Sequence, residues 1–397
     1  MKIRCKAKNI CLIKRAVAII LVFVFCTAYM LPISSMPTES EQGIGIDVNA
    51  KSAILVEAST GKVLYEKNAD EALPPASVTK VMTLLLVMEA IEQGKISYSD
   101  MVRASANACS MGGSQIFLEE NEEMSIEDLI KSVVIASAND AAVALAEYIS
   151  GTEEAFVEQM NKKATALGMK NTTFENTNGL DDTVQKHLTS ARDIAIMSRE
   201  LLKYPKITEY SSIWMDSIRN GEFGLTNTNR LVRFYKGATG LKTGSTAKAG
   251  FCISATAKRN DMELICVIMG AESRDIRNAA AVSLLDYGFA NFGIYNKDGG
   301  KIDGIPIKKG MLPSVGAEYK GFSAVVNKNE KEKITQEIFV YEQLEAPIAK
   351  GDVIGRITYK IGKEEIGKSD IVALNKVEKI TFLGMFAELL RKCASIV

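Results

Sequence analysis

The stretch Pro74-Pro75-Ala76-Ser77-Val78-Thr79-Lys80 decides how this chain is read. It leads into an apolar run, Val78 to Ile91, which the pattern predicts as a buried helix ending near Gly94. Two consecutive prolines cannot lie inside that helix, so they mark its N-terminal boundary. Ser77 then falls at the helix start and Lys80 one turn further on. Positions i and i+3 share a helix face, which brings the hydroxyl and the amine within hydrogen-bond reach. The free N–H groups and partial positive charge of a helix N-terminus favour a developing alkoxide. A partly desolvated lysine beside it can lose its proton and serve as base. Alone, Ser-x-x-Lys also describes an N-cap with a solvated lysine, so the rest of the chain has to choose.

The 397 residues include one histidine, His187. A Ser-His-Asp hydrolase would have to use it, yet there is no Gly-x-Ser-x-Gly elbow. No His/Cys/Asp grouping has zinc-ligand spacing, and no cofactor is expected. A nucleophile here needs another base, and lysine is at hand. Two further short elements can converge on Ser77 and Lys80. Ser137-x-Asn139, on a loop between helices, offers a second hydroxyl to relay a proton and an amide to hold a substrate carbonyl. Lys242-Thr243-Gly244 is read as the start of an edge strand. Its lysine adds positive charge, its threonine hydroxyl can bind a carboxylate, and its glycine lets substrate backbone approach closely. An acyl-enzyme also needs an oxyanion hole, for which the N–H groups of Ser77 and Ser245 are the candidates.

Composition frames this chemistry. The chain is 47% hydrophobic and 24% charged, as expected of two ordinary globular domains with additions. Lys2, Arg4, Lys6, Lys8, Lys14 and Arg15 precede an apolar run from Ala16 to Leu31, broken by Pro32. Residues 1–35 are therefore read as a secretory signal, with cleavage after Ala28 or near Ser35. An uncleaved signal anchor is the alternative, and either exports the remainder. Removing six basic residues from a chain of formal charge 0 leaves about −6, which argues against nucleic-acid binding. Cys109, Cys252, Cys266 and Cys393 beyond the signal are too scattered for a disulfide framework. Cys252 and Cys266 fall on strands expected to pair, which leaves two buried thiols or one bridge.

Ser52 to Val56 and Lys62 to Glu66 read as a β-hairpin turning at Ala58-Ser59-Thr60-Gly61. Helical patterns cover Met124 to Ser150, Glu153 to Leu167 and Thr189 to Leu202, with a loop from Asn171 to Asp182. A strand is expected from Lys242 to Ala257, a second from Met262 to Met269, and a sheet-packing helix from Asp275 to Phe292. The fold class is thus α/β (α+β): one antiparallel sheet covered by helices, plus a helical subdomain, over residues 44–292. Residues 296–378 alternate short β-like runs with Gly/Lys/Asp turns and form a small all-β domain. Residues 380–397 repeat apolar side chains every three to four positions, interrupted by Glu388, Arg391 and Lys392. This is an amphipathic helix, lying on a membrane surface or docked on the β domain.

Taken together, the three short motifs, in this order and on these elements, resemble the low-molecular-weight penicillin-binding proteins, the serine D-alanyl-D-alanine carboxypeptidases. The likeness extends through Ser110-Met111-Gly112-Gly113-Ser114, Ala136-Ser137-Ala138-Asn139-Asp140-Ala141-Ala142, Asn178-Gly179-Leu180 and Thr189-Ser190-Ala191-Arg192-Asp193 to Gly240-Leu241-Lys242-Thr243-Gly244. The resemblance implies the penicillin-recognising serine-enzyme fold, and as substrate the D-Ala-D-Ala end of the peptidoglycan stem peptide. Ser77 would attack the penultimate carbonyl, expel D-alanine and pass the acyl group to water, and β-lactams would acylate the same serine. It also implies a β domain, an amphipathic membrane anchor, and action outside the cytoplasmic membrane at the cell wall. An arginine often precedes the family's Lys-Thr-Gly to bind the substrate carboxylate. Arg230 in Asn227-Thr228-Asn229-Arg230-Leu231 matches it, with Arg233 in competition. Thr239 stands where the family commonly has an acid. His187 either lines the cleft or is a satisfied structural group. Two rivals are weighed: a β-lactamase, against which Glu175 lacks a Glu-x-x-Leu-Asn context, and a silent wall-binding protein, against which every motif is intact.

Overall fold

The computed structural model describes residues 48–182 and 184–394. The signal read at residues 1–35 and the last three residues of the C-terminal helix reading lie outside the described residues.

Strands β1 (Ser52–Glu57) and β2 (Val63–Lys67) form the expected hairpin. They join β3 (Ala238–Thr246), β4 (Gly250–Arg259) and β5 (Met262–Ala271) in one antiparallel sheet of order β2-β1-β5-β4-β3. The expected single strand from Lys242 to Ala257 is two strands. The chain turns between Thr246, whose hydroxyl accepts the Ala249 N–H, and Gly250, whose φ is +65°. Lys242-Thr243-Gly244 therefore lies in the interior of edge strand β3, not at its start. Four residues precede Lys242 in the strand and brace it against Thr256 and Ala257.

Strand side chains alternate between faces, and here each face has its own helices. Ile54, Val56, Ile265, Val267 and Met269 join a core shared with α1 (Lys80–Glu92) and α4 (Ala191–Leu201). Leu55 and Leu264 instead lie against Gly288 of α5 (Arg274–Asn291), whose small residues permit close packing. This parity settles the cysteines. Cys252 points into the first core and Cys266 to the other face, so they are two buried free thiols.

The helical subdomain contains α2 (Asn139–Ser150) and α3 (Glu153–Ala166). The helical reading of 124–150 is interrupted. A short helix, Ile126–Lys131, widens into a π turn at Ser132–Ala136, and Ser137 then takes left-handed backbone angles, φ 63° and ψ 30°. The chain restarts as α2 at Asn139, so the motif sits at a sharp corner between helical segments.

Helix α5 runs directly into a strand, Phe292–Lys297, paired with Phe322–Asn327. Beyond it a five-stranded antiparallel sheet runs in the order 300–306, 314–319, 364–373, 353–361, 334–340. Tyr359, fully buried, stacks on Phe322 at 4.1 Å in its core. The last element is the helix Phe382–Ala394. Among the described residues no helix is long and apolar enough to cross a membrane.

Candidate active site

The prolines end in one tight turn, Ala76–Thr79, before α1 proper starts at Lys80. Ser77 is half-buried at a cleft of about 630 Å³, while Lys80 behind it is fully buried. Lys80 Nζ lies 2.9 Å from Ser77 Oγ, 2.5 Å from Asn139 Oδ1 and 2.8 Å from the Asn178 carbonyl oxygen. Two of these partners can only accept. A neutral amine meets them with its two N–H bonds and keeps a lone pair for the Ser77 proton. Burial favours that state, and the nearby Lys242 charge adds to it. Together they hold Lys80 well below its ordinary range against the opposing pull of Asp140. Asp140 is itself tied down, accepting from the N–H groups of Ile116, Leu118 and Ala141.

The corner at Ser137 turns its hydroxyl to Lys242, whose Nζ donates to it at 2.8 Å and to the Thr243 carbonyl at 2.9 Å. Lys242 is 1% exposed, and burial together with the charge of Arg277 brings it down to about 7. Asn139, two residues on at the start of α2, donates to the Gly112 carbonyl at 2.6 Å while its oxygen takes the Lys80 amine. Ser77/Lys80 and Ser137/Lys242 are thus two hydroxyl–amine pairs, each with a buried amine, both at one cleft.

Strand β3 passes the Ser77 turn with no space between them. A Cβ on Gly244 would sit 2.7 Å from Ser77 N and 2.9 Å from both Pro75 O and Val78 N. Opposite, the loop Asn178-Gly179-Leu180 is equally close. Gly179 has φ +86°, and a Cβ there would fall 1.9 Å from Ala76 O. Thr243 donates to the Thr228 hydroxyl at 2.8 Å, which ties β3 to the 226–230 segment. Ser77, Ser137, Thr243, Gly244, Ser245 and Arg230 all line the cleft, and Lys80, Asn139 and Lys242 are buried behind them, Lys80 bonded to Ser77 and Asn139, Lys242 to Ser137. The alternative, Arg233, stacks on Trp214 and Phe234 instead.

His187 is 3% exposed and does not line the cleft. Its Nδ1 accepts the Glu175 N–H at 3.0 Å, so the ring proton is on Nε2 and is donated to Thr79 Oγ1 at 2.7 Å. Thr79 in turn donates to Ala76 O at 2.8 Å. Burial lowers His187 to about 4. It is a satisfied structural group that braces the Ser77 turn.

Three contributors were not read from the sequence. The Asn178 carbonyl is backbone and leaves no residue-type signal. Thr228 stands inside the arginine segment, with nothing to mark its hydroxyl. Arg277, 3% exposed at the cleft, has its pKa lowered to about 10 by burial and by Arg274. Its signal was available: an arginine three and four residues before Ala280 and Ala281, on the face of α5 that packs on the sheet.

Residues 36–273 match a family described as D-alanyl-D-alanine carboxypeptidase, and residues 314–379 match the C-terminal domain of penicillin-binding protein 5. Among curated proteins, D-alanyl-D-alanine carboxypeptidase DacF of Bacillus subtilis is 44% identical over 341 residues, 84% of this chain and 87% of the relative. Penicillin binding protein 5 from Haemophilus influenzae superposes with a TM-score of 0.75 at 32% identity, covering 84% of this chain and 99% of that one. Penicillin-binding protein D2 from Listeria monocytogenes, solved in an ampicillin-bound form, gives 0.57 at 30% identity over 62% of this chain and 99% of its own.

Proposed function

The chain belongs to the D-alanyl-D-alanine carboxypeptidase family of low-molecular-weight penicillin-binding proteins, and we propose that it works through an acyl-enzyme on Ser77 with Lys80 as the base. The observation that carries this is the buried Lys80 amine, held by two fixed acceptors with its third contact on Ser77 Oγ. Lys80 takes the Ser77 proton as Oγ attacks the penultimate D-Ala carbonyl of a peptidoglycan stem peptide. The N–H groups of Ser77 and Ser245 receive the oxyanion. The C–N bond then breaks, and the departing amine gains its proton through the Lys80 and Ser137 hydroxyl–amine pairs. Asn139 orients the acyl-side amide. The terminal carboxylate lies at the Thr243 hydroxyl and Arg277, with Arg230 adding positive charge. Water finally cleaves the ester, and a β-lactam acylates the same oxygen.

A labelled β-lactam attaches covalently to the purified protein under this mechanism, and free D-alanine appears from a diacyl tripeptide ending in D-Ala-D-Ala. Ser77→Ala loses both. Labelling that survives in Ser77→Ala removes the assignment. The β-lactamase reading finds no support at Glu175, whose carboxylate accepts from the N–H groups of Gln185 and Lys186 within its own loop.

The site of action follows the same reading: exported, at the outer face of the cytoplasmic membrane. Support comes from the final helix, where Phe382 and Leu383 are about four-fifths exposed and Phe386 and Leu390 more than half. Such a face suits the bilayer interface. Sedimentation with anionic lipid vesicles tests it, and a chain ending at Lys379 should stay in the supernatant. Equal sedimentation of both forms would place the contact elsewhere.

A further inference from the structure

The cleft carries more positive charge than the reaction above uses. Arg230, Arg274 and Arg277 all line it, and among the described residues no aspartate or glutamate does. Arg277 is buried, and burial, followed by the charges of Arg274 and Arg230, pushes its pKa down, with Asp275 pulling the other way. Arg230 and Arg274 are exposed. Neither makes a side-chain hydrogen bond or ion pair among the described residues. Arg192, Arg219 and Arg259, by contrast, each hold a carboxylate. Glu272 and Asp275, beside Arg274 in sequence, form no ion pair with it. Three mutually repelling cations around an open space are a standing demand for anions. The terminal carboxylate of a D-Ala-D-Ala substrate, placed at Thr243 and Arg277, answers Arg277 and draws on Arg230, and it leaves Arg274 unanswered.

The space itself points the same way. The methyl group of a departing D-alanine occupies little of a cleft of about 630 Å³. Trp214 and Phe234 meet edge to face at 6.2 Å in its wall, and Phe234 is 73% exposed. Arg233 covers one side of these rings, and the exposed remainder of Phe234 offers apolar surface for a methylene stem, with Arg230 and Arg274 lining the same cleft for its end. The 226–230 segment is tied to Thr243 through Thr228, so this wall adjoins the position given to the terminal residue.

We propose that Arg230 and Arg274, with Trp214 and Phe234, form a side-chain subsite for an acidic group on the departing D-residue. Stem peptides ending in D-Ala followed by a D-residue with an acidic side chain are then substrates, and a cationic side chain is excluded. This rests on the Ser77 reading. The step is the same acylation: the Ser77 Oγ–C bond forms, the C–N bond to the terminal D-residue breaks, and the serine proton ends on the departing amine. Water then opens the ester, and no electron donor or acceptor is required.

Three diacyl peptides, identical except for a terminal D-Ala, D-Glu or D-Lys, are compared as substrates of the full chain, with the released amino acid quantified. The expected kcat/KM for D-Glu exceeds that for D-Lys by about tenfold or more at low salt, shrinking as salt rises. The double variant Arg230→Gln, Arg274→Gln should lower the D-Glu to D-Lys ratio at least fivefold, and its circular dichroism spectrum and cooperative thermal unfolding confirm that it is folded. A ratio below about threefold in the parent, or one the double variant leaves unaltered, overturns the subsite. If D-alanine is not released either and no β-lactam attaches, the Ser77 mechanism has failed and the subsite falls with it.

Discussion

Lys242→Met separates what the buried amine does for catalysis from what it does to the fold. The lysine is fully enclosed, and its pKa drops from 10.5 to about 7, chiefly through burial. Between those two values the unfolded chain holds a proton that the folded chain lacks. Stability owed to this residue therefore rises with pH across the window, by about 1.4 kcal/mol per pH unit, and is level below it. The whole span is roughly 5 kcal/mol, the cost of burying the charged form under acidic conditions. Methionine keeps the stem and removes that cost. It also strips a donor from Ser137 Oγ and from the Thr243 carbonyl, at about 1 kcal/mol each. At pH 6 the variant should thus be more stable than the parent by roughly 3 kcal/mol, and near pH 10 the advantage should vanish or reverse. Denaturant unfolding of both proteins from pH 6 to 10 reads the difference directly, while β-lactam acylation falls by orders of magnitude. A stability difference that stays constant over this range, or a variant weaker than the parent at pH 6, would refute the picture of an amine forced toward neutrality by enclosure.

Lys80→Ala should cost several orders of magnitude in acylation while Ser77 stays in place, and near-normal labelling would dismiss Lys80 as the base. In Gly244→Ala the atoms nearest the new methyl are backbone atoms of Pro75, Ser77 and Val78. The strand must back away, at about 1–3 kcal/mol of stability, and acylation should fall about a hundredfold. Unchanged acylation would show that the strand's closeness to Ser77 is immaterial. His187, held at about 4 when folded against 6.5 unfolded, binds fewer protons in the folded state between those values. Its contribution is intact above pH 6.5 and falls by up to roughly 3 kcal/mol as pH drops to 4. His187→Asn should flatten that part of the stability profile, and an unaltered acid slope would count against a buried neutral ring.

The sequence alone determined what acts within a turn or two of chain. Two prolines bounded a helix, i/i+3 spacing put an amine beside a hydroxyl, and a single histidine left lysine as the candidate base. These are local constraints of backbone geometry and residue chemistry, so they survive without knowledge of the fold. The convergence of Ser77, Ser137 and Lys242 was legible only because three motifs occurred together in a known order.

Packing decided the rest. Lys242 reaches Ser137 across 105 residues of chain. Enclosure strips water from it and from Lys80, and with the neighbouring positive charges it lowers the pKa of both amines. The Asn178 carbonyl, the histidine brace under Ala76, and Arg277 turned into the cleft are invisible to residue type, because backbone atoms and the face of a helix acquire a role only when something is set against them. The strand boundary at Thr246–Gly250 and the opposite facing of Cys252 and Cys266 were also settled by register, which depends on the partner strands. Chemistry was written locally, and its strength was set by which groups the sheet and its helices shut away from water.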